Sequence, residues 1–193
     1  MLRSIGAACA TAMWLSGCGE VEPLRAAGFA IRPPEAWKAE EPTRWLAPGT
    51  ALAAWSGPDG SSLVVYRTLP DPTASAGTIA EALANRLANL PGLTMAANRT
   101  ETIAGQPAAR VEAVAPGSGA SFAPSGIGRP TAREGETLIP TRRVVVGFPR
   151  SDGPVFLAWH APEGASPRLM AEIDATLKGL VIAPESRRSS QGY

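Results

Sequence analysis

Residues 141 to 162 read TRRVVVGFPRSDGPVFLAWHAP, and this stretch decides the fold. Two runs rich in β-branched and aromatic residues, 141–149 and 154–161, flank Ser151-Asp152-Gly153, a sequence suited to the turn between two antiparallel strands. Val144-Val145-Val146 is apolar at consecutive positions, whereas a strand with one face in water alternates apolar and polar residues. The stretch therefore predicts a hairpin that is covered on both faces.

Two further hairpins follow from the same pattern. Residues 51–56 and 61–68 flank Gly57-Pro58-Asp59-Gly60, and residues 93–103 and 107–115 flank Gly105-Gln106. Each gap holds the glycine, aspartate or proline that a chain reversal needs. Three hairpins in one chain predict an antiparallel β-sheet, and the apolar runs predict helices lying on it.

Two amphipathic helices supply this cover. The first is predicted to begin at a capping box, Thr78-Ile79-Ala80-Glu81, and to end at Pro91-Gly92. The second is predicted to begin at Ser166, with Pro167 in its first turn. Their apolar stripes share one spacing and comprise Ile79, Leu83, Leu87 and Leu90 in the first helix, and Leu169, Ile173, Leu177 and Leu180 in the second. The fold class predicted is α+β, with an antiparallel sheet covered by helices.

The amino terminus has the features of an export signal. Arg3 precedes an apolar stretch from Ile5 to Leu15, which is shorter than the ~20 residues that a spanning helix needs. The stretch ends in Leu15-Ser16-Gly17-Cys18, which resembles the bacterial lipobox. The resemblance implies cleavage after Gly17, acylation of Cys18 and, because Gly19 follows, location in the outer membrane of an organism with two membranes. An ordinary secretory signal and a buried core cysteine are the alternatives.

The composition of the processed chain excludes several classes of protein. Cys9 leaves with the signal, so neither an internal disulfide nor a cysteine metal site remains. Removal of Arg3 leaves 17 of the 18 basic residues against 17 acidic ones, a balance that argues against general nucleic-acid binding. The expected organisation is a signal at 1–17, a tether at 18–27, one domain at 28–183 and a disordered tail at 184–193.

Residues 116–139 interrupt the domain with a long segment rich in glycine, proline and serine. Segments of this length without regular structure are uncommon in compact domains and are usually functional or disordered. Both a decorative insertion and a binding loop fit the sequence. If the segment binds a partner, Phe122, Ile127 and Arg129 are its candidate contact residues.

The order of these elements resembles the PsbP-like superfamily. Residues 29–37, FAIRPPEAW, resemble its opening strand and Pro-x-x-Trp turn, and residues 103–110, IAGQPAAR, resemble its central hairpin with an arginine on the second strand. The resemblance covers Gly28 to Ala183 and implies an α/β/α sandwich without shared catalytic residues. Members include a photosystem II extrinsic subunit, a nuclear-transport accessory protein and bacterial envelope lipoproteins. The segment 116–139 departs from the usual pattern, and no ligand residue carries over.

Signatures of catalysis and of cofactor binding are missing from the sequence. His160 is the sole histidine, no Gly-x-Ser-x-Gly motif is present, and Gly117-Ser118-Gly119 lacks the remaining spacing of a phosphate loop. Asp59, Asp71 and Asp152 stand at predicted turns, where aspartate bonds to its own backbone. We therefore expect no catalytic residue, no metal and no cofactor, and a structural role for His160.

The tryptophans and an arginine pair remain open to two interpretations. Trp37, Trp45, Trp55 and Trp159 could line a groove, although packing in the core is favoured for most of them. Trp45, between Arg44 and Leu46, is the most exposed by sequence and is a further candidate contact residue. Arg142-Arg143 could meet phospholipid head groups, but a solubilising role on an edge strand is favoured.

The sequence thus favours a lipid-anchored envelope protein that binds another membrane-associated protein or complex and is not an enzyme. The anchor would confine the domain to the membrane plane and raise its effective concentration toward partners there. An envelope carrier of a small apolar ligand or lipid is the alternative. A hydrolase centred on His160 is the least favoured reading.

Overall fold

The structure is a computed structural model and describes residues 24–25, 27–41, 50–89, 92–115 and 140–183. Within these ranges the α-helices with complete bounds are α1 (Ala76–Ala88) and α2 (Ser166–Lys178), and short 3₁₀ turns span Pro58–Gly60 and Glu163–Ala165. The nine strands are β1 (Phe29–Ala30), β2 (Lys38–Glu40), β3 (Ala51–Ser56), β4 (Ser62–Arg67), β5 (Thr94–Ile103), β6 (Gln106–Ala115), β7 (Thr141–Phe148), β8 (Val155–Pro162) and β9 (Val181–Ile182).

Seven of the strands form one antiparallel sheet in the order β2-β3-β4-β8-β7-β6-β5. The three predicted hairpins, β3-β4, β5-β6 and β7-β8, are all confirmed. The sheet is completed where β4 pairs with β8, which places Leu63 opposite Trp159. Between the described residues, β1 and β9 form a separate two-stranded sheet in which Phe29 faces Ile182.

The two helices cover opposite faces of the large sheet. Val144 and Val146 lie in the core beneath α2, together with its residues Leu169 and Ile173. Val145 points to the other side and packs in the core beneath α1. Consecutive apolar residues in the central strands are therefore buried on alternate faces, and the predicted fold class, an antiparallel sheet with helices on it, is confirmed.

The start of α1 differs from the prediction by one turn. Ser75 is the N-cap, since its hydroxyl accepts from the Thr78 backbone N–H at 3.1 Å while Thr78 Oγ1 accepts from the Ser75 N–H at 2.8 Å. The reciprocal pair is a capping box with threonine in the position usually held by Glu or Gln. The predicted box at Thr78-Ile79-Ala80-Glu81 is wrong, because those residues already lie inside the helix.

The turn between β5 and β6 also differs from the prediction. Ala104 and Gly105 both have positive φ, at 50° and 75°, and form the two-residue loop, whereas Gln106 is the first residue of β6. Two positive φ values define a type I′ turn, the geometry that matches the twist of antiparallel strands. The prediction that Gly105-Gln106 forms the turn is therefore displaced by one residue.

Helix α2 begins at Ser166 with Pro167 in the first turn, as predicted. The four apolar residues of its predicted stripe are all buried, although Leu180 follows the end of the helix. In α1, Ile79, Leu83 and Leu87 are buried as predicted, and Leu90 lies outside the described residues.

Candidate functional site

All five site residues predicted from the sequence, Cys18, Trp45, Phe122, Ile127 and Arg129, lie outside the described residues. The structure nevertheless shows where segments 116–139 and 42–49, which contain four of these residues, join the sheet. Ala115 and Thr141 are register partners at the ends of β6 and β7, so segment 116–139 leaves and re-enters the sheet at one point.

Segment 42–49, which contains Trp45, joins the sheet elsewhere. It follows β2 and precedes Ala51, which pairs with Tyr66 near the end of β4. Ser62, at the start of β4, pairs with His160, which pairs with Arg143. The start of β4 therefore lies at the same end of the sheet as Thr141, the start of β7. The two segments therefore join the sheet at opposite ends of the central strands.

A row of polar side chains, which we call the polar row, lies beside the attachment point of segment 116–139. It consists of Ser62 on β4, His160 on β8 and Arg143 on β7, which are direct cross-strand neighbours on the α1 face. Ser62 is 3% exposed and Arg143 is 8% exposed. The polar row thus places a cation and an imidazole in a largely enclosed environment.

Burial lowers the pKa of His160 to about 4, and the positive charge of Arg143 acts in the same direction. His160 is therefore neutral at pH 7. Burial also lowers the pKa of Arg143, although an arginine stays charged at any physiological pH. Both side chains have further partners.

The hydrogen bonds that join described residues include none between the Ser62 hydroxyl and the His160 ring, although the two residues are register partners. A serine hydrolase needs that bond and a third group that orients the histidine. The structural role expected for His160 stays a prediction.

A second polar cluster, which we call the arginine network, lies on the α2 face of β5, β6 and β7. At its centre Arg110, with a side chain only 6% exposed, donates from Nε to Glu112 Oε1 at 3.0 Å and from Nη1 to Asp174 Oδ1 at 3.2 Å. Arg110 Nη1 also lies 3.7 Å from Glu101 Oε1. Asp174 belongs to α2, so Arg110 joins the outer hairpin to the helix that covers the sheet.

Glu112 is the shared acid of the arginine network. Its carboxylate, 9% exposed, lies 3.7 Å from Arg99 Nη2 and 3.8 Å from Arg142 Nη1, besides its hydrogen bond with Arg110. Three arginines therefore face Glu101, Glu112 and Asp174, and the charges balance. The network pairs its charges internally, as a structural cluster requires, although Glu101 Oε1 and Arg142 Nε are buried without a hydrogen bond among the described residues.

The arginine pair 142–143 does not lie on an edge strand, contrary to the prediction. Strand β7 has neighbours on both sides, and the two side chains point to opposite faces of the sheet. Arg142 faces Glu112 in the arginine network, whereas Arg143 belongs to the polar row.

The remaining predicted polar and aromatic residues have structural surroundings. Trp37, Trp55 and Trp159 are at most 7% exposed and lie in the core beneath α2, where the Trp37 indole N–H donates to Glu172 Oε2 at 3.1 Å.

Asp59 and Asp152 form ion pairs with Arg168 and Arg67, at 3.0 and 2.9 Å. Asp71 accepts from the Thr73 N–H and hydroxyl, and these bonds hold the pKa of its carboxyl below its usual value.

The described residues hold no cluster of three or more histidine, cysteine, aspartate or glutamate side chains able to bind a metal ion. Within the same ranges, no helix is both long enough and apolar enough to cross a bilayer.

Comparison with solved structures assigns the fold. The crystal structure of LpqN, involved in cell envelope biogenesis of Mycobacterium tuberculosis, aligns with a TM-score of 0.54 over 81% of this chain and 83% of that chain. The chain shares its fold with LpqN. At 16% identity this likeness concerns the fold alone.

Two further solved structures align over similar spans. The solution structure of cyanobacterial PsbP from Synechocystis sp. PCC 6803 gives a TM-score of 0.49 at 10% identity, covering 88% of this chain and 99% of that chain. A protein of unknown function and putative regulator from Pseudomonas aeruginosa, PA94, gives 0.48 at 18% identity, covering 81% and 85%. No family model and no curated protein matches the chain.

The polar row and the arginine network were not predicted as sites. Arg110 stood in the quoted hairpin, but its partner Asp174 lies 64 residues away in the sequence. The sequence carries one local signal of the arginine network. Arg110 and Glu112 are opposite charges two residues apart in an apolar strand, and residues at this spacing lie on the same face of a strand.

Proposed function

We propose that this protein is a lipid-anchored accessory protein of the bacterial cell envelope that binds a membrane-associated protein or complex and catalyses no reaction. The observation that carries the proposal is that the buried polar side chains of the described sheet are engaged in contacts within the fold. Arg110, Glu112 and Asp174 are committed to one another, and burial keeps His160 neutral at pH 7. These are surroundings of structural residues, not of a reaction centre.

The envelope location rests on two features. Leu15-Ser16-Gly17-Cys18 supports acylation of Cys18, and two or more acyl chains hold a protein stably on a bilayer. LpqN, which shares the fold, is described as involved in cell envelope biogenesis. With Gly19 after the cysteine, the outer membrane is the proposed location in an organism with two membranes.

The proposed contact surface comprises segment 116–139, with Phe122, Ile127 and Arg129, and the segment that contains Trp45. A glycine-rich and proline-rich segment of this length, attached at a single point between Ala115 and Thr141, is a suitable place for partner contacts. A carrier of an apolar ligand would instead use aromatic residues facing an open cavity. The three described tryptophans are packed in the core, which supports a binding protein over a carrier.

The anchor is tested by changing each cysteine of the chain in turn. Cells expressing Cys18→Ser and Cys9→Ser variants of the full chain are labelled with radioactive palmitate and fractionated. We expect Cys18→Ser to lose the label and to leave the membrane fraction, whereas Cys9→Ser keeps both. Label retained by Cys18→Ser, or label lost by both variants, contradicts the anchor.

The contact surface is tested by replacing its main segment. Because Ala115 and Thr141 are register partners, residues 116–140 can be replaced by Asn-Gly, which closes β6 and β7 with a two-residue turn. We expect this variant to keep the far-ultraviolet circular dichroism of the parent and to lose its partner in co-purification from solubilised membranes. Unchanged association in this variant and in Trp45→Ala contradicts the proposed surface.

A further inference from the structure

The outer edge of β5, which pairs with no other described strand, has a sequence that complements itself. Strand β5 is an outer strand of the sheet and, among the described residues, pairs only with β6. It is ten residues long, and Asn98, Thr100 and Thr102 are exposed. Strand β2, at the opposite edge, has only three residues. A long exposed edge strand is a template for pairing with another strand.

The turn before β6 determines which backbone groups of β5 point outward. In a two-residue hairpin the flanking pair, here Ile103 and Gln106, is hydrogen bonded. Hydrogen-bonded and non-hydrogen-bonded pairs then alternate, so Thr102 faces Pro107 in a non-hydrogen-bonded pair, as suits a proline without an N–H. The N–H and C=O groups of Asn98, Thr100 and Thr102 therefore point away from β6.

We propose that a second copy of this chain pairs with this edge, antiparallel and in register about Thr100. In this register Thr100 lies opposite Thr100 of the second copy, and Asn98 lies opposite its Thr102. All the outward N–H and C=O groups of the three residues then have partners across the interface. The two sheets become one continuous sheet.

Charge complementarity selects the register and the occupant. When β5 pairs about Thr100, each Arg99 faces Glu101 of the other copy in a non-hydrogen-bonded pair, where side chains are closest. A shift of the centre to Arg99 or to Glu101 places like charges opposite each other. A shift to Asn98 or Thr102 places both charged residues opposite uncharged ones. Only the Thr100 register satisfies both charges.

The surroundings of the two charged residues allow this contact. The Arg99 side chain is 46% exposed and that of Glu101 is 29% exposed, and they lie 3.5 Å apart on the same face of β5. The bulge between Met95 and Ala97 interrupts the regular ladder before Asn98, so pairing is confined to the C-terminal part of β5. Charges and a bulge normally protect an edge against other strands. Here the two charges match those of a second copy of the same strand.

The register is tested by disulfide crosslinking in the full chain, with Cys9 and Cys18 changed to serine so that only introduced thiols react. A hydrogen-bonded antiparallel pair places Cα atoms ~5.5 Å apart, within disulfide range. We expect Thr100→Cys to form a covalent dimer on mild oxidation. Asn98→Cys and Thr102→Cys should crosslink poorly alone and efficiently when mixed, because each lies opposite the other. Thr94→Cys, exposed and beyond the bulge, is the control.

The role of charge is tested in the Thr100→Cys background. Arg99→Glu places two like charges opposite each other at symmetric positions, and we expect the dimer yield to fall about tenfold at subsaturating protein concentration. Lys178→Glu makes the same change of charge at an exposed site on α2 and should leave the yield unchanged. Circular dichroism and the thermal midpoint show that both variants are folded.

The results separate this pairing from its competitors. Equal crosslinking at 94, 98, 100 and 102, or no dimer at Thr100→Cys, overturns the proposed register. A crosslink of Thr100→Cys to a different protein in native membranes, without a homodimer, assigns the edge to another occupant and also overturns the proposal. The pairing of β5 does not depend on the lipid anchor. Failure of the β5 dimer would therefore not contradict acylation of Cys18, and failure of acylation would not contradict the dimer.

Discussion

Removal of the Arg110 guanidinium should destabilise the fold by about 3 kcal/mol. Breaking a buried ion pair by removing one partner costs ~3–5 kcal/mol, because it leaves the other charge uncompensated. Glu112, with 9% exposure, is that partner, whereas Glu101 and Asp174 are 29% and 52% exposed and add little. Arg99 and Arg142, 3.7 and 3.8 Å from Glu112, still compensate part of its charge. The expected loss therefore lies at the lower end of the range of ~3–5 kcal/mol.

The measurement is urea and thermal unfolding of the full chain with Arg110→Met, followed by circular dichroism. For a protein of this size, a change of about 3 kcal/mol corresponds to a fall in the thermal midpoint of ~6–12 °C. Arg168→Met is the matched control, because Arg168 is 46% exposed and its pairs with Asp59 and Glu172 lie at the surface. We expect that control to change stability by less than ~1 kcal/mol.

A double variant tests the cause of the destabilisation. Arg110→Met combined with Glu112→Leu removes both buried charges, and replacement of a buried pair by apolar residues is often neutral. The double variant should therefore be more stable than Arg110→Met alone. A loss in Arg110→Met no larger than in the Arg168 control, or additive losses in the double variant, would refute a buried charge network at this position.

The other predictions concern four single sites. The pKa of His160, about 4 in the fold against an ordinary 6.5, should be measurable by NMR titration. Because the unfolded chain takes up that proton first, stability contributed by His160 should be present above about pH 6.5 and be lost as pH falls through about 4, a dependence that His160→Gln removes. Gly147→Ala should destabilise by ~1–3 kcal/mol, since its Cβ would lie 2.7 Å from Ile79 Cγ2. Gly77→Ala in α1, whose Cβ would make only an ordinary contact with Ser75 Oγ at 3.8 Å, should stabilise by ~0.5–1 kcal/mol in chemical denaturation. Ser75→Ala removes the N-cap of α1 and should cost ~1 kcal/mol by the same measurement.

The local parts of the fold could be predicted because their signals are local. Gaps of two to four residues with glycine, aspartate or proline specify hairpins, and the unbroken run Val144-Val145-Val146 specifies a strand covered on both faces. The stripe of α2 at four-residue and three-residue steps specifies the face that it buries. These features depend on neighbours within a few residues in the sequence.

The errors arose where two local solutions compete. Ser75 and Thr78 both offer a hydroxyl at the start of an apolar run, and Thr78 is followed at the right distance by a glutamate. The helix starts earlier because Ser75 and Thr78 satisfy each other, despite Gly77 in the first turn. The choice is made by hydrogen-bond geometry, which the sequence pattern does not contain.

The two polar clusters could not be predicted because they depend on strand order. The pairing of β4 with β8 brings Ser62 beside His160, and the position of α2 brings Asp174 to Arg110. Neither proximity has a local signal. The prediction that Arg142 and Arg143 lie on an edge strand is wrong because the sequence does not show that β7 has two neighbours.

Photo-crosslinking in native membranes tests the central claim, that this is a tethered binding protein, most directly. One probe replaces Phe122 in segment 116–139, and a control probe replaces Arg86, which is exposed on α1. We expect the Phe122 probe to capture one protein that the Arg86 probe does not, and Cys18→Ser to abolish that capture. Capture of lipid alone, or of nothing, by the Phe122 probe would contradict the claim and favour an envelope carrier.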